Sequence, residues 1–186
     1  MTKQEEIIGL ADTLIRRKGY NAFSFYEIAE EVGIKTASVH YHFRTKSDLG
    51  VAVVERHINH FHSLIERLTG KSPMEKLNGF FSIYTDIQQE NNVCLVGSMA
   101  TDYYTLDVNV QQKLKELSAL MLDWVGGFLE EGRNEHIFHF EGLSRSKALM
   151  IISNMLAIVQ LSRLTSASDF EIIKTSILNE LTNEPS

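Results

Sequence analysis

The chain has 186 residues, of which 44% are hydrophobic, and its formal net charge is −6. This length and composition are ordinary for a globular protein of one or two domains with a sizeable core. The single cysteine, Cys94, excludes an intramolecular disulfide, and no apolar run reaches the roughly 18 residues that a membrane span needs. Near the N-terminus no charged segment is followed by an apolar run. We therefore predict a cytoplasmic protein with no membrane partner.

The charge is unevenly distributed along the chain. Residues 1–50 hold seven Lys/Arg and seven Asp/Glu, so the remaining 136 residues carry 18 − 7 = 11 basic and 24 − 7 = 17 acidic side chains. The stretch GIKTASVHYHFRTKSDL, from Gly33 to Leu49, contains no acid before Asp48. The first fifty residues are therefore the better partner for a polyanion.

Apolar residues recur at helical spacing through almost the whole chain, and only two prolines occur, Pro73 and Pro185. Alternation of the kind found in β-strands is nearly absent. The pattern predicts an all-α protein.

The N-terminal region predicts three helices. The first presents an apolar face and ends in three cations before Gly19, which suits the helix dipole and a left-handed cap. Ser24 opens the second, because Ser24 and Glu27 stand in capping-box spacing. Gly33 ends that helix, and a third follows from about Thr36 to Phe43. Two short helices joined by a glycine turn indicate a helix-turn-helix motif.

The third helix has the chemistry of a DNA-reading helix. Such a helix presents hydrogen-bonding groups to base edges, while cations and hydroxyls near its ends hold phosphates. The side chains in and beside it that suit these tasks are Lys35, Thr36, Ser38, His40, Tyr41, His42 and Lys46. The alternative is a solvated helix that lacks acids by chance, since this motif also occurs in proteins that never bind DNA.

Three segments together resemble the DNA-binding domain of the TetR family of transcriptional regulators. They are Phe25–Ala29, Gly33–Ile34 and Val39–Leu49. They contain the family's Ile-Ala pair in helix two, its Gly-Val/Ile turn, its Tyr-x-Phe ending of helix three and its Lys-x-x-Leu opening of helix four. The resemblance covers about 50 residues and implies a DNA-binding regulator that acts on double-stranded DNA.

The resemblance also implies roles for individual residues. It implies phosphate contacts from Ser24, Tyr41 and Lys46. It implies base or groove contacts from Thr36, Ala37, Ser38, His40 and His42. Lys35 stands where the family usually has a capping Ser or Thr, so the cap of helix three passes to Thr36 or is absent. Lys35 would gain from a nearby phosphate what it loses to the helix dipole.

The rest of the chain predicts six further helices, four to nine in chain order. Helix five follows the start signal Ser72-Pro73-Met74-Glu75 and runs to about Gln89. The other predicted ranges are 47–68, 95–105, 108–131, 144–165 and 169–181. We predict an N-terminal helix-turn-helix DNA-binding domain over residues 1–48 and an effector-binding and dimerisation domain over residues 49–186.

Helix eight is apolar around nearly its whole circumference, so it should face its own core on one side and a second subunit on the other. The family's last two helices pair with their twins in a four-helix bundle, which agrees with this pattern. The predicted homodimer interface contains Ile152, Leu156, Val159, Phe170, Ile173 and Ile177. A twofold dimer would set two recognition helices roughly 34 to 36 Å apart on a palindromic operator.

Aromatic and methionine side chains lie on the helices that surround the ligand pocket in this family. The predicted pocket residues are Phe61, Phe80, Tyr84, Met99, Tyr103, Met121, Trp124, Phe128 and Met155. Such side chains suit an adaptable apolar cavity for a small-molecule effector. They also suit an ordinary core, which uses the same residues at the same spacing.

Other chemistries have less support. Cys94 begins a segment that resembles one where some relatives use a cysteine to sense oxidants, but no Lys, Arg or His within ten residues would lower its pKa. Histidine pairs such as His57 and His60 lack a completing ligand set, so we predict solvated histidines, no metal and no cofactor. There is no nucleophile elbow, phosphate loop or distinctive carboxylate pair, so we predict that the protein is not an enzyme.

The sequence therefore predicts a ligand-responsive, sequence-specific transcription factor. We predict a repressor released from its operator by a small apolar or amphipathic molecule. Two alternatives stay open at this point: a redox or electrophile sensor acting through Cys94, and a helical interaction module without DNA binding.

Overall fold

The computed structural model describes residues 2–183, and within that range all regular structure is helical. The α-helices are α1 (Lys3–Lys18), α2 (Phe25–Val32), α3 (Thr36–His42), α4 (Lys46–Arg67), α5 (Pro73–Gln89), α6 (Leu95–Thr101), α7 (Val108–Asn134), α8 (Ser144–Leu161) and α9 (Ala167–Thr182). Short 3-10 helices cover Tyr20–Ala22 and Tyr103–Thr105. The predicted all-α class is confirmed.

Local capping explains where several helices begin. At α5 the Ser72 hydroxyl accepts from the Glu75 backbone N–H at 3.3 Å, and the Glu75 carboxylate accepts from the Ser72 N–H at 3.0 Å. Pro73 occupies the first helical position, where no N–H is needed. The predicted start of helix five is thus confirmed, and Thr2 and Glu5 form the same reciprocal cap at α1.

Two predicted helices end earlier than expected. Helix eight was expected to reach Thr165, but α8 ends at Leu161, and the Leu164 N–H bonds the Leu161 carbonyl three residues back in a tighter turn. Helix six was expected to reach Thr105, but α6 ends at Thr101 and a 3-10 helix follows. In both regions the apolar residues keep helical spacing, but hydrogen bonds between residues four apart give way to bonds between residues three apart. The apolar spacing does not reveal this change.

The described residues divide into two compact units. The first comprises residues up to 60 together with 94–118, and the second comprises 61–93 together with the residues from 119 onward. Helices α4 and α7 contribute to both. These units describe packing, and the predicted functional boundary after residue 48 stays a prediction.

In the first unit, α1 packs against α2 and α6, and α2 packs against α3. The side chains of Ile15, Ile28, Val39 and Leu49 are all fully buried. The Ser98 hydroxyl of α6 donates to the Ile15 carbonyl at 2.7 Å. Helix α1 therefore packs against α6 as well as against the helix-turn-helix.

In the second unit, aromatic rings fill the core. Phe61 and Phe128 both contact the Trp124 ring edge-on, with centroid separations of 5.4 and 5.0 Å. Tyr84 and Phe80 are fully buried beside each other. Helices α8 and α9 pack together, and large apolar side chains are exposed on them at Leu149, Met150, Leu161 and Ile172, and between them at Leu164.

Candidate nucleic-acid interface

The turn between α2 and α3 depends on one glycine. Gly33 has φ = 71° and ψ = 38°, the left-handed region that glycine enters without steric cost. The N–H of Ile34 then bonds the Ala29 carbonyl at 2.9 Å and completes the C-cap of α2. At the other end of α2, the Ser24 hydroxyl accepts from the Glu27 N–H at 3.2 Å. Both helix boundaries predicted from the sequence are therefore present.

Helix α3 is anchored on one face and open on the other. Val39 is fully buried and Phe43 is 5% exposed, so both fix the helix to the core of the first unit. On the opposite face Ala37 and His40 are exposed, and Tyr41 is 85% exposed. The helix thus presents a row of side chains to solvent on a rigid base.

The remaining predicted contact residues surround that row. Ser24 and Lys35 are exposed, while Thr36, Ser38 and His42 are half-buried. Lys35 is the N-cap of α3 and its side chain makes no capping hydrogen bond, while Thr36 is the first helical residue. Of the two possibilities left open by the sequence, the side-chain cap is therefore absent.

Lys46 is bound within the chain. Its Nζ donates to the carbonyls of Phe23 at 2.7 Å and Asn21 at 3.2 Å, and it lies 4.2 Å from the centroid of the Phe23 ring. Partial burial lowers the pKa of Lys46. The Tyr20 hydroxyl donates to the Lys46 carbonyl, and burial raises the pKa of Tyr20 to about 12, so this donor stays protonated. Lys46 therefore joins the start of α4 to the segment before α2.

The start of α4 was predicted one residue late. Thr45 and Asp48 form a reciprocal cap: the Thr45 N–H donates to Asp48 at 2.9 Å, and the Asp48 N–H donates to the Thr45 hydroxyl at 3.0 Å. The helix thus begins at Lys46, and the Thr-x-x-Asp spacing was the signal that could have found it. The first carboxylate after the acid-free stretch is occupied in this cap.

Two further side chains of this surface were not among the predicted contacts. Tyr26 on α2 is 69% exposed, and Arg44 is exposed just after α3. No carboxylate occurs between Glu31 and Asp48. Exposed cations, hydroxyls and rings without a competing acid can bind a phosphate backbone and reach base edges.

Seven of the nine predicted pocket residues are buried in packed core, whereas Tyr103 and Trp124 are half-buried. Phe80, Tyr84, Met99 and Met155 are fully buried, and Phe61, Met121 and Phe128 are at most 6% exposed. Met99 and Tyr103 belong to the first compact unit and the other seven to the second. Surface clefts of about 640, 600 and 540 Å³ lie elsewhere, and none of the nine lines them. Their role as ligand contacts stays a prediction.

The predicted interface residues differ in their exposure. Val159, Phe170 and Ile177 are buried within the second unit, whereas Ile152, Leu156 and Ile173 are half-buried. Their role as interface contacts stays a prediction.

Cys94 and the histidines occupy structured positions. Cys94 is buried at the N-cap of α6, and its redox role stays a prediction. The expectation of solvated histidines is wrong for His57, whose Nε2 lies 2.7 Å from a carboxylate oxygen of the buried Asp12. This contact joins α1 to α4 across 45 positions, which the spacing of histidines could not reveal. Within residues 2–183 no group of three or more His, Cys, Asp or Glu is arranged to hold a metal.

No helix within the described residues is both long and apolar enough to cross a membrane. A family model described as "Bacterial regulatory proteins, tetR family" matches residues 7–53. A TetR transcriptional regulator from Legionella pneumophila is 36% identical in sequence, with 97% of this chain and 98% of that chain aligned at a TM-score of 0.86. A TetR-family regulator from Agrobacterium tumefaciens is 26% identical over the same shares, with a TM-score of 0.91.

Curated relatives match over shorter lengths. The HTH-type transcriptional repressor KstR2 of Mycolicibacterium smegmatis is 28% identical over 82 residues, which are 43% of this chain and 40% of that protein. An uncharacterized HTH-type transcriptional regulator from the lacX 3' region of Lactococcus lactis is 26% identical over 61% of each chain. The chain thus matches less than two thirds of the length of either relative.

Proposed function

The chain belongs to the TetR family of transcriptional regulators, and on that premise we propose that it is a homodimeric repressor released from a palindromic operator by a small apolar or amphipathic molecule. A DNA-binding regulator is not an enzyme, as the sequence predicted. The observation that carries the proposal is α3 itself, which lies in the stretch without a carboxylate between Glu31 and Asp48, is anchored by buried side chains and exposes His40 and Tyr41.

The phosphate contacts are proposed for groups at the edges of this surface. Tyr41 is 85% exposed and its hydroxyl can donate to a phosphate oxygen. The Ser24 hydroxyl already accepts from Glu27 N–H, but its own hydrogen stays available as a donor. Lys35 brings a cation to the N-terminus of α3, where the free backbone N–H groups also favour an anion. Lys46 would reach a phosphate only by giving up its bonds to two carbonyls.

The base contacts are proposed for α3 itself. Ala37 and His40 are exposed, and Thr36, Ser38 and His42 are half-buried at the sides of the same helix. A helix of this kind enters the major groove with its side chains toward the base edges. His40 and the hydroxyls can donate or accept hydrogen bonds, and the Ala37 methyl can contact a thymine methyl.

The second copy of the chain is proposed to pack on α8 and α9. Leu161 and Leu164 are 50% and 84% exposed, and Ile172 on α9 is 58% exposed. Ile152, Leu156 and Ile173 are half-buried on the same two helices. Covering such side chains in a twofold interface removes apolar surface from water and sets two copies of α3 on one operator.

The effector is proposed to bind among the aromatic rings of the second unit. Because Phe61 and Phe128 both pack against Trp124, a ligand that binds here must separate these rings. A ligand that binds such an opened conformer shifts the population toward it, by no more than the difference in its affinity for the two states. Release from DNA follows if the opened conformer spaces the two recognition helices wrongly for the operator.

The test is selection of bound duplexes from a random DNA pool, followed by fluorescence anisotropy on the recovered sites at two salt concentrations. A palindrome whose affinity falls steeply with salt is the expected result, because phosphate contacts release counterions. Recovery of no sequence above background would contradict the proposal. Recovery of a site without twofold symmetry would contradict the dimeric part alone.

A further inference from the structure

Two rings meet between the helices of the helix-turn-helix, outside its buried core. The centroids of Phe25 on α2 and His40 on α3 lie 4.9 Å apart, with their planes at 63°, an edge-on contact. His40 is exposed and Phe25 is half-buried. The core that fixes α3 is made by Val39 and Phe43, which are buried and do not need this contact. The ring pair is therefore an additional contact between α2 and α3, outside the buried core.

Two contacts fix the backbone around Phe25. It is the first residue of α2, directly after Ser24, whose hydroxyl caps the helix by accepting from the Glu27 N–H at 3.2 Å. The Glu27 side chain is in turn paired with Lys18 of α1. The backbone that carries the Phe25 ring is thus fixed relative to the first helix.

His40, by contrast, extends from a short helix into solvent. A free imidazole on an exposed helical face distributes among staggered rotamers, and a base contact uses one of them. An edge-on contact with a fixed ring favours one orientation by about three- to tenfold, the range found for aromatic pairs. The entropy lost on binding DNA is then smaller, because the ring is already oriented.

We infer that Phe25 is a positioning residue for DNA readout, which fixes the His40 imidazole so that one ring N–H reaches a purine acceptor in the major groove. The inference rests on the proposed function. A neutral imidazole carries one N–H donor, and the N7 atoms of guanine and adenine are acceptors on that edge. Phe25 itself does not touch the base and acts only through His40.

A purely structural role for Phe25 makes different predictions. If the ring merely completed the fold, its loss would weaken binding to every sequence alike and lower the melting temperature. If the ring positions His40, its loss relaxes the preference at one base pair, and this effect disappears once His40 is gone.

The experiment compares four full-length proteins by DNA selection and anisotropy: the wild type, Phe25→Leu, His40→Ala and the double variant. The base pair read by His40 is defined as the one at which His40→Ala relaxes the preference. We expect Phe25→Leu to reduce discrimination at that pair by about three- to tenfold. The double variant should match His40→Ala, and Phe25→Tyr, which keeps the ring, should restore wild-type discrimination.

Tyr41→Leu is the matched control. Tyr41 makes the neighbouring ring contact, with His42 at 5.3 Å, and is proposed to hold a phosphate. Its loss should weaken all sequences and leave the preference at the base pair defined by His40 unchanged, because Tyr41 contacts the ring of His42 and not that of His40. Equal weakening of all sequences by Phe25→Leu, or additive effects of Phe25→Leu and His40→Ala at the defined base pair, would overturn the inference while leaving the proposed function intact. A wild-type protein that selects no DNA would overturn both.

Discussion

At the residue scale, two interactions compete for the ammonium group of Lys46. It cannot bind a DNA phosphate and keep all of its hydrogen bonds to the backbone of its own chain. The resemblance implies a phosphate contact, whereas Nζ bonds the carbonyls of Phe23 and Asn21. A charged donor joined to two carbonyls stabilises the fold of the DNA-binding unit whether or not DNA is present.

We predict that Lys46→Ala lowers the free energy of unfolding by about 1–3 kcal/mol, since two carbonyls lose a charged donor and the Phe23 ring loses a cation. Urea unfolding measures this change. Lys35→Ala is the control, because Lys35 is exposed and caps α3 without a side-chain bond. Lys35→Ala should leave stability within about 0.5 kcal/mol and flatten the salt dependence of DNA binding. Unchanged stability in Lys46→Ala with a flattened salt slope would show that the ammonium serves phosphate.

The second residue-scale prediction concerns the buried Asp12. Burial alone would raise the pKa of Asp12, but the hydrogen bond and charge of His57, with Arg16 3.5 Å away, outweigh it and hold the pKa below its ordinary value. Because the folded pKa lies below the unfolded one, this carboxylate stabilises the fold above its ordinary pKa of about 3.9. The stabilisation is lost as the pH falls through the folded pKa.

Asp12→Asn should therefore lose less stability than the wild type on acidification below about pH 4, as urea unfolding at several pH values will show. Parallel pH profiles of the two proteins would argue against the pair. His57→Gln should cost about 1–3 kcal/mol at neutral pH, because it removes one partner of a buried carboxylate and leaves the ion pair with Arg16. His62→Gln, at an exposed position on the same helix, should cost no more than about 0.5 kcal/mol.

At the element scale, the angle between α2 and α3 depends on the backbone at Gly33. A Cβ at this position would meet nothing within 4 Å, so space is not the constraint. The constraint is φ = 71°, where an ordinary side chain approaches its own backbone. The angle between α2 and α3 thus depends on a backbone conformation that glycine adopts without steric strain.

We predict that Gly33→Ala destabilises the protein by about 1–2 kcal/mol, whereas Gly33→Asn costs less because asparagine tolerates the left-handed region. Thermal unfolding compares the two variants with the wild type. A neutral or stabilising Gly33→Ala substitution would mean that the turn adopts another conformation in solution.

At the scale of the whole molecule, dimerisation determines whether two copies of α3 can bind one operator together. Leu164 is 84% exposed in a single chain, so a charge there costs the monomer little. In a twofold interface the same charge would be buried without a partner, which is unfavourable by several kcal/mol. We predict that Leu164→Glu yields a monomer by light scattering and weakens operator binding.

The control for this prediction is Tyr104→Glu. Tyr104 is 95% exposed but belongs to the first compact unit, whereas Leu164 and the proposed interface belong to the second, so this variant should remain dimeric. A wild-type protein that is monomeric at micromolar concentration, or a dimeric Leu164→Glu variant, would refute the proposed interface.

The sequence by itself determined the features that depend on residues close together along the chain. The cap formed by Ser72 and Glu75, the turn at Gly33 and the apolar spacing of the helices involve partners about four residues apart, so type and spacing suffice. The acid-free stretch and the resemblance identified the family for the same reason, since both are read from contiguous residues.

Only the tertiary structure decided which distant side chains meet. Phe25 contacts His40, Asp12 bonds His57, and Lys46 bonds the carbonyl of Phe23, in each case between different helices or between a helix and a distant loop. Such contacts depend on how the helices pack, and one apolar pattern is compatible with many packings. For this reason the sequence could propose aromatic and methionine side chains as pocket residues, while the burial of seven of the nine was visible only in the fold.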